Sequence, residues 1–272
     1  MTRGRTFYRL LSHDLSYSLA YGKYKFIVFY GLIALLSLMM GAEVKSVANG
    51  NTVGTVYLLL KDNGYIKTLS DYELPYYWDF IQFFTLFLIG DFLYQDLNNN
   101  RTYVVLRCHS KLQYMLSKVC WLIIQNMLLF AGMFIVIYAV SSIVLGDFSF
   151  HSSAYFHHYI ASLMNNSVSP GQLVWRIFLG YILTNLVLSS ILLLLLQWLS
   201  PIVSFLGVII ISSLSTFLGT KWLPAIHSMI LKQDTFNREH HLTLSFSVIY
   251  CAVCFVVIAA FTLYTFRKSE VY

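Results

Sequence analysis

The chain has 272 residues, 58% of them hydrophobic and 11% charged, with a net charge of +6 and a mean hydropathy of +0.66. A soluble domain is apolar at roughly 45–50% and charged at roughly 25%. So few charges cannot cover a water-facing surface, which excludes a soluble enzyme, a disordered tail and a nucleic-acid binder, and leaves an integral membrane protein.

Read from the N-terminus, residues 6–21 place Phe7, Leu10, Leu11, Leu15 and Leu19 at helical spacing, with Arg3, Arg5, Arg9, His13 and Asp14 as the polar side. That pattern predicts an amphipathic helix lying in the headgroup plane. The apolar run that follows lacks a small-residue cleavage site and reads as a retained helix. A membrane span needs roughly 20 mostly apolar residues, and six segments qualify: 26–42, 76–94, 116–145, 173–199, 202–219 and 244–266. Pro201 separates the fourth from the fifth and permits a tight turn. Tyr76, Tyr77, Trp78, Tyr94, Trp175, Trp198 and Trp222 sit at span edges, as interfacial aromatics do.

The expected architecture is a single all-α membrane domain over 1–272. Lys and Arg orient it. With the N-terminus in the cytoplasm, eleven of them fall inside and seven outside, and residues 146–172 contain none. An even number of spans puts Arg267 and Lys268 inside as well. The loop 43–75 and the loop 146–172 are then external. So is 220–243, which is apolar enough to dip back as short helices.

Motifs for chemistry are scarce. There is no G-x-x-x-x-G-K-[ST], no H-E-x-x-H and no G-x-S-x-G. No ionisable group stands at mid-span, which disfavours ion-coupled carriage. Cys251 and Cys254 have C-x-x-C spacing but lie in an apolar run and read as small buried hydrophobes. His151, His157, His158, His227, His240 and His241 fall outside. Their spacing matches no metal site and they read as solvated loop residues, so no metal is expected.

The loop between the second and third spans, from Tyr94 to Lys118, is short, basic and amphipathic. It carries too little apolar surface to fold alone, so it reads either as a helix held by a cytoplasmic partner or as a loop whose positives only set topology. In it Asp96, Thr102, Val105, Leu106, Ser110, Lys111, Tyr114 and Lys118 fall at the steps of a known signature. The chain here resembles the permeases of type-2 ABC exporters. It departs from their pattern at Arg101, where Gly is usual, at Cys108, where Pro is usual, and at Asp96, where Glu is usual. Arg9, Asp14, Lys23 and Lys25 agree with the family's N-terminus, and the six-span plan covers the whole chain.

The resemblance implies a permease subunit of an ATP-driven exporter in a bacterial cytoplasmic membrane. Two membrane domains, a second copy or a related chain, would bind a cytosolic ATPase dimer. ATP and Mg²⁺ would be held by that partner and no cofactor by this chain. A coupling helix at 98–110 would dock on the ATPase through Asp96, Arg101, Thr102, Arg107, Ser110 and Lys111, with Arg9 and Asp14 on the interfacial helix as a second contact. The conduit would be lined by the second and fifth spans. Phe80, Phe84 and Phe87 share one face there, and Ser204, Ser212, Ser215 and Thr216 form a small polar stripe. Both sets also suit plain roles, the phenylalanines facing lipid and the stripe packing helices. An aromatic, hydroxyl-lined path suits an amphipathic cargo such as a peptide, an antibiotic or a lipid-like molecule. The alternative is a non-transporting scaffold or sensor whose loop docks a cytosolic partner.

Overall fold

The structure, a computed structural model, describes residues 3–47, 50–65, 74–100, 110–238 and 241–268. The described residues form seven α-helices: α1 Arg3–Val47, α2 Thr52–Leu60, α3 Tyr76–Gln95, α4 Lys111–Leu145, α5 Pro170–Leu195, α6 Pro201–Leu218 and α7 Leu244–Lys268. Among the described residues there is no strand. All but α2 are long and apolar enough to cross a membrane, so six spanning helices mark a multi-pass membrane protein.

Local chemistry sets the helix ends. Ser110 caps α4 by accepting the Gln113 N–H (3.4 Å), so α4 opens at Lys111, before the expected 116. Ser169 and Gln172 form a reciprocal capping box and Pro170 takes the first turn, so α5 also opens before its expected 173. Pro201 starts α6, and Gly219 ends it in the left-handed region at φ 59°.

The expectation of a separate interfacial helix needs correction, because α1 runs unbroken for 45 residues through both the amphipathic stretch and the first span. Nothing between residues 6 and 26 breaks it: there is no proline, and Gly22 alone only weakens a helix. Asp14 is also not on the outer side. It follows Leu10 and Leu11 at helical spacing, so it belongs to the stripe that packs inward and is 3% exposed, whereas Arg9 is exposed. The loop 43–75 carries α2, which is too short to span and has every residue but Leu58 buried.

α5 is the central helix and packs against α2, α3, α4, α6 and α7, while α1 lies along α4. One end of the bundle, the terminal end, gathers the start of α1, the end of α3, the start of α4 and the end of α7. There Tyr114 meets the Phe266 ring at 5.7 Å.

The opposite end is capped. Residues 220–238 fold back, with two short turns, Pro224–Ser228 and Ile230–Lys232, that are buried almost throughout. Trp78 Nε1 donates to Ser228 Oγ (3.1 Å) and Thr184 Oγ1 to the Pro224 carbonyl (3.2 Å). Gly180 lets the first turn approach α5, since a Cβ there would lie 2.7 Å from the His227 carbonyl oxygen. A second loop is stitched on: the Asn165 N–H donates to the Thr235 carbonyl (2.8 Å), and Arg238 reaches Asn166 Oδ1 (2.6 Å).

Candidate functional site

At the terminal end three charged side chains meet inside the protein. Lys118 Nζ on α4 lies 2.7 Å from Asp14 Oδ1 on α1 and 2.8 Å from Asp96 Oδ2 just past α3. Asp14, Asp96 and Lys118 are 3%, 1% and 1% exposed, so none can touch a soluble ligand as it stands. Removing such charges from water costs several kcal/mol per ion unless pairing and further hydrogen bonds offset it. Those bonds are present. Ser117 Oγ donates to Asp14 Oδ2 (2.6 Å) and the Tyr114 hydroxyl to Asp96 Oδ2 (2.5 Å). Trp121 Nε1 donates to Ser18 Oγ (3.1 Å), one turn from Asp14, and the Trp121 ring lies 4.3 Å from that of Phe92. Tyr114, Lys118 and Trp121 share one face of α4 by their spacing, as Asp14 and Ser18 do on α1. A second pair, Lys25 to Asp91 at 2.5 Å, ties α1 to α3.

The cluster sits at the root of the loop singled out in the sequence. Asp96 opens a π-helical turn, Asp96–Asn100, that leads into it. Ser110 closes it as the cap of α4, and Lys111 is half-buried beside that cap. Arg101, Thr102 and Arg107 lie outside the described residues, as does most of the expected coupling helix.

The candidate conduit residues are placed as follows. Phe80, Phe84 and Phe87 form a ladder on α3, with ring centroids 5.5 and 6.3 Å apart, and it continues to Phe205 on α6 at 6.4 Å. Phe87 is 46% exposed. Ser204, Ser212, Ser215 and Thr216 are buried on the inner face of α6, which packs on α5, on α3 and on the turn Pro224–Ser228. The opposite face of α6 is apolar and exposed at Ile202, Leu206, Ile210 and Phe217.

Residues 32–272 match the model of a family described as protein of unknown function DUF2705. The chain belongs to that family. No curated protein and no solved structure matches it.

In this DUF2705 chain, sequence reasoning missed a polar chain inside the bundle. Gln82 Nε2 on α3 donates to Asn185 Oδ1 on α5 (3.2 Å), Asn185 Nδ2 to Asn126 Oδ1 on α4 (2.5 Å), and Asn126 Nδ2 to Ser189 Oγ (3.2 Å). All four side chains are buried or nearly so. The available signal was an amide interrupting each of three apolar runs.

The capped end holds two further buried charged side chains. The Asp62 carboxylate accepts the Leu231 N–H (2.8 Å) and the Gly64 N–H (2.9 Å). Lys232 Nζ donates to the Ser215 and Thr216 carbonyls (3.2 and 2.9 Å) and so caps the last turn of α6. Burial pushes Asp62 above the usual carboxylate range, opposed by the Leu231 bond and the Lys232 charge, and lowers Lys232 against the pull of Asp62. His227 is not a solvated loop residue: it is buried, its Nδ1 lies 3.0 Å from Ser247 Oγ, and burial lowers it to about 4. His151, His157, His158 and His241 are exposed. Among the described residues no three His, Cys, Asp or Glu gather as a metal-binding group.

Chemically, the Asp14–Lys118–Asp96 cluster is a joint rather than a reaction centre. It holds charge in a closed setting and fastens three helices around one loop.

Proposed function

We propose that the chain is the membrane-spanning permease subunit of an ATP-driven exporter, moving an amphipathic peptide, antibiotic or lipid-like cargo while separate cytosolic ATPase subunits bind ATP and Mg²⁺. A second copy or a related permease chain completes the membrane part. In this reading the termini face the cytoplasm and residues 98–110 form the coupling segment.

The observation that supports it is the buried Asp14–Lys118–Asp96 joint. A partner pressing on the loop between Asp96 and Ser110 acts on α3 and α4 at their roots, and through Asp14 on α1. Breaking one contact would expose an uncompensated buried charge, so the three helix ends move together. ATP would then shift a two-state equilibrium through the different contacts its bound and unbound ATPase makes with that loop.

The test is co-purification. The tagged chain, extracted in mild detergent, should bring a stoichiometric soluble ATPase, and that partner should be lost when Arg101, Arg107 and Lys111 are changed to Ala. A well-folded chain that emerges without an ATPase under several extraction conditions would sink the permease reading and favour a scaffold or sensor.

A further inference from the structure

At the capped end a cleft of about 520 Å³ opens between α4 and α5. Phe134 and Phe178 meet edge to face at 5.0 Å in its wall, and Trp175 lies 5.5 Å from Phe178. Tyr138 stacks on Phe150 at 5.1 Å and donates its hydroxyl to the Phe148 carbonyl (2.8 Å), which fixes the loop after α4 as a further wall. Among the described residues no charged side chain lines the cleft.

Its position decides what can enter. Both flanking helices span the membrane by length and composition. Ile135, which lines the cleft, is 66% exposed and continues the exposed apolar face of α4 through Met127, Leu128 and Ile143. The open side therefore meets hydrocarbon. Water has no partners in so apolar a space. On α5 the lining runs from Gly171 to Phe178, roughly 10 Å along the helix, a groove shaped for a chain rather than a compact group. At its mouth Trp175 is 55% exposed, at the helix end where an indole meets headgroups.

Charge selects the headgroup. Residues 146–172 contain no Lys or Arg, and their one formal charge is Asp147. The Ser149 N–H and the Ser149 side chain hold that carboxyl below its usual range, so it stays ionised. Two cations at this end are engaged, one of them Lys45, which shares a neighbouring cleft with Asp147. Arg176 binds Asp234 (3.1 Å) and Thr235 (2.5 Å), and Lys45 donates to the Val144 carbonyl (2.9 Å).

We propose that this cleft binds one acyl chain of a zwitterionic phospholipid, whose ammonium group lies toward Asp147 while its tail fills the groove between Phe134, Val174 and Phe178. The site is built from α4, α5, α2 and the loop after α4, and stands or falls apart from the transport reading.

The test uses the full chain in vesicles of equal phosphatidylethanolamine and phosphatidylglycerol. Retained lipid is counted by native mass spectrometry after detergent washing. Wild type should keep one phosphatidylethanolamine per chain in excess over phosphatidylglycerol. Ala131→Phe fills the groove, and Gly171→Leu adds a side chain where nothing lies within 4 Å. Each should cut retention by about tenfold, as losing about two buried methylenes of contact would. Ile210→Phe, on the exposed face of α6, should leave retention unchanged. Gly171→Leu carries the test if Ala131→Phe does not fold. No retained lipid in wild type, equal retention of the two lipids, retention unchanged in both cleft variants, or a second copy of the chain cross-linked into the cleft would each overturn the proposal.

Discussion

Lys118 matters most for what its loss would leave behind. Lys118→Met strands Asp14 and Asp96 in a dry site, which should cost about 3–5 kcal/mol and show as a large fall in the unfolding midpoint in detergent. Changing Asp14→Asn and Asp96→Asn as well removes the charges that made Lys118 necessary, and should recover most of that loss. Equal instability of the single and triple variants would mean the cluster is held by shape rather than charge. His227 gives a pH signature. Its folded value of about 4 lies below the ordinary 6.5, so the unfolded chain binds the proton more readily. Stability contributed by the neutral ring is complete above pH 6.5 and lost as pH falls toward 4, by roughly 3 kcal/mol. Asp62, with its raised value, acts in the opposite sense. The informative quantity is therefore the difference between wild type and His227→Gln, which should shrink as the medium is acidified from pH 7 to pH 4.5. Neither Lys118 nor His227 was legible as buried from the sequence. Lys118 looked like an ordinary residue opening a span, and its partner Asp14 lies 104 positions away. Asp14 itself was legible in principle, because it falls on the stripe of Leu11 and Leu15.

At the scale of elements, the docking of the turn Pro224–Ser228 on α5 depends on the missing side chain at position 180. Gly180→Ala puts a carbon 2.7 Å from a backbone carbonyl that cannot swing aside. It should cost about 1–3 kcal/mol and expose residues 220–238 to protease. The unbroken course of α1 makes a separate prediction. Lys23→Pro removes a hydrogen bond inside a continuous helix and should cost about 3 kcal/mol, whereas a hinge between an interfacial helix and a span would tolerate it. The six spans were legible because twenty apolar residues in a row are a local property. Helix α2 was not, because nine mostly apolar residues between polar ones look like loop, and contacts with α1, α4 and α5 make them a buried helix. The chain from Gln82 through Asn185 to Asn126 was illegible for the same reason, since each amide alone looks like a tolerated polar residue and the pairing spans 59 to 103 positions.

For the whole molecule, the joint at the terminal end makes a claim about energy transfer. On the permease proposal, the triple variant Asp14→Asn, Asp96→Asn, Lys118→Met should fold and still hold the ATPase that the proposal requires. Cargo-stimulated ATP hydrolysis in vesicles should nonetheless fall about tenfold, the equivalent of about 1.4 kcal/mol of lost coupling. Unchanged stimulation would leave the cluster a purely structural fastening. The length of α1 gives this joint its reach. Forty-five residues make a rod of about 67 Å, roughly twice the 30 Å of hydrocarbon it has to cross. The helix therefore runs well past the thickness it needs to cross, with Asp14 pinned near its start and Arg9 exposed beyond that pin. Leverage follows: beyond the Asp14 pin α1 runs on for about 17 Å, so a rocking of about 10° sweeps its tip by about 3 Å, and on the transport proposal a small motion of the bundle becomes a displacement that a docked partner would feel, while a push at the tip is geared down into a small, forceful motion among the spans.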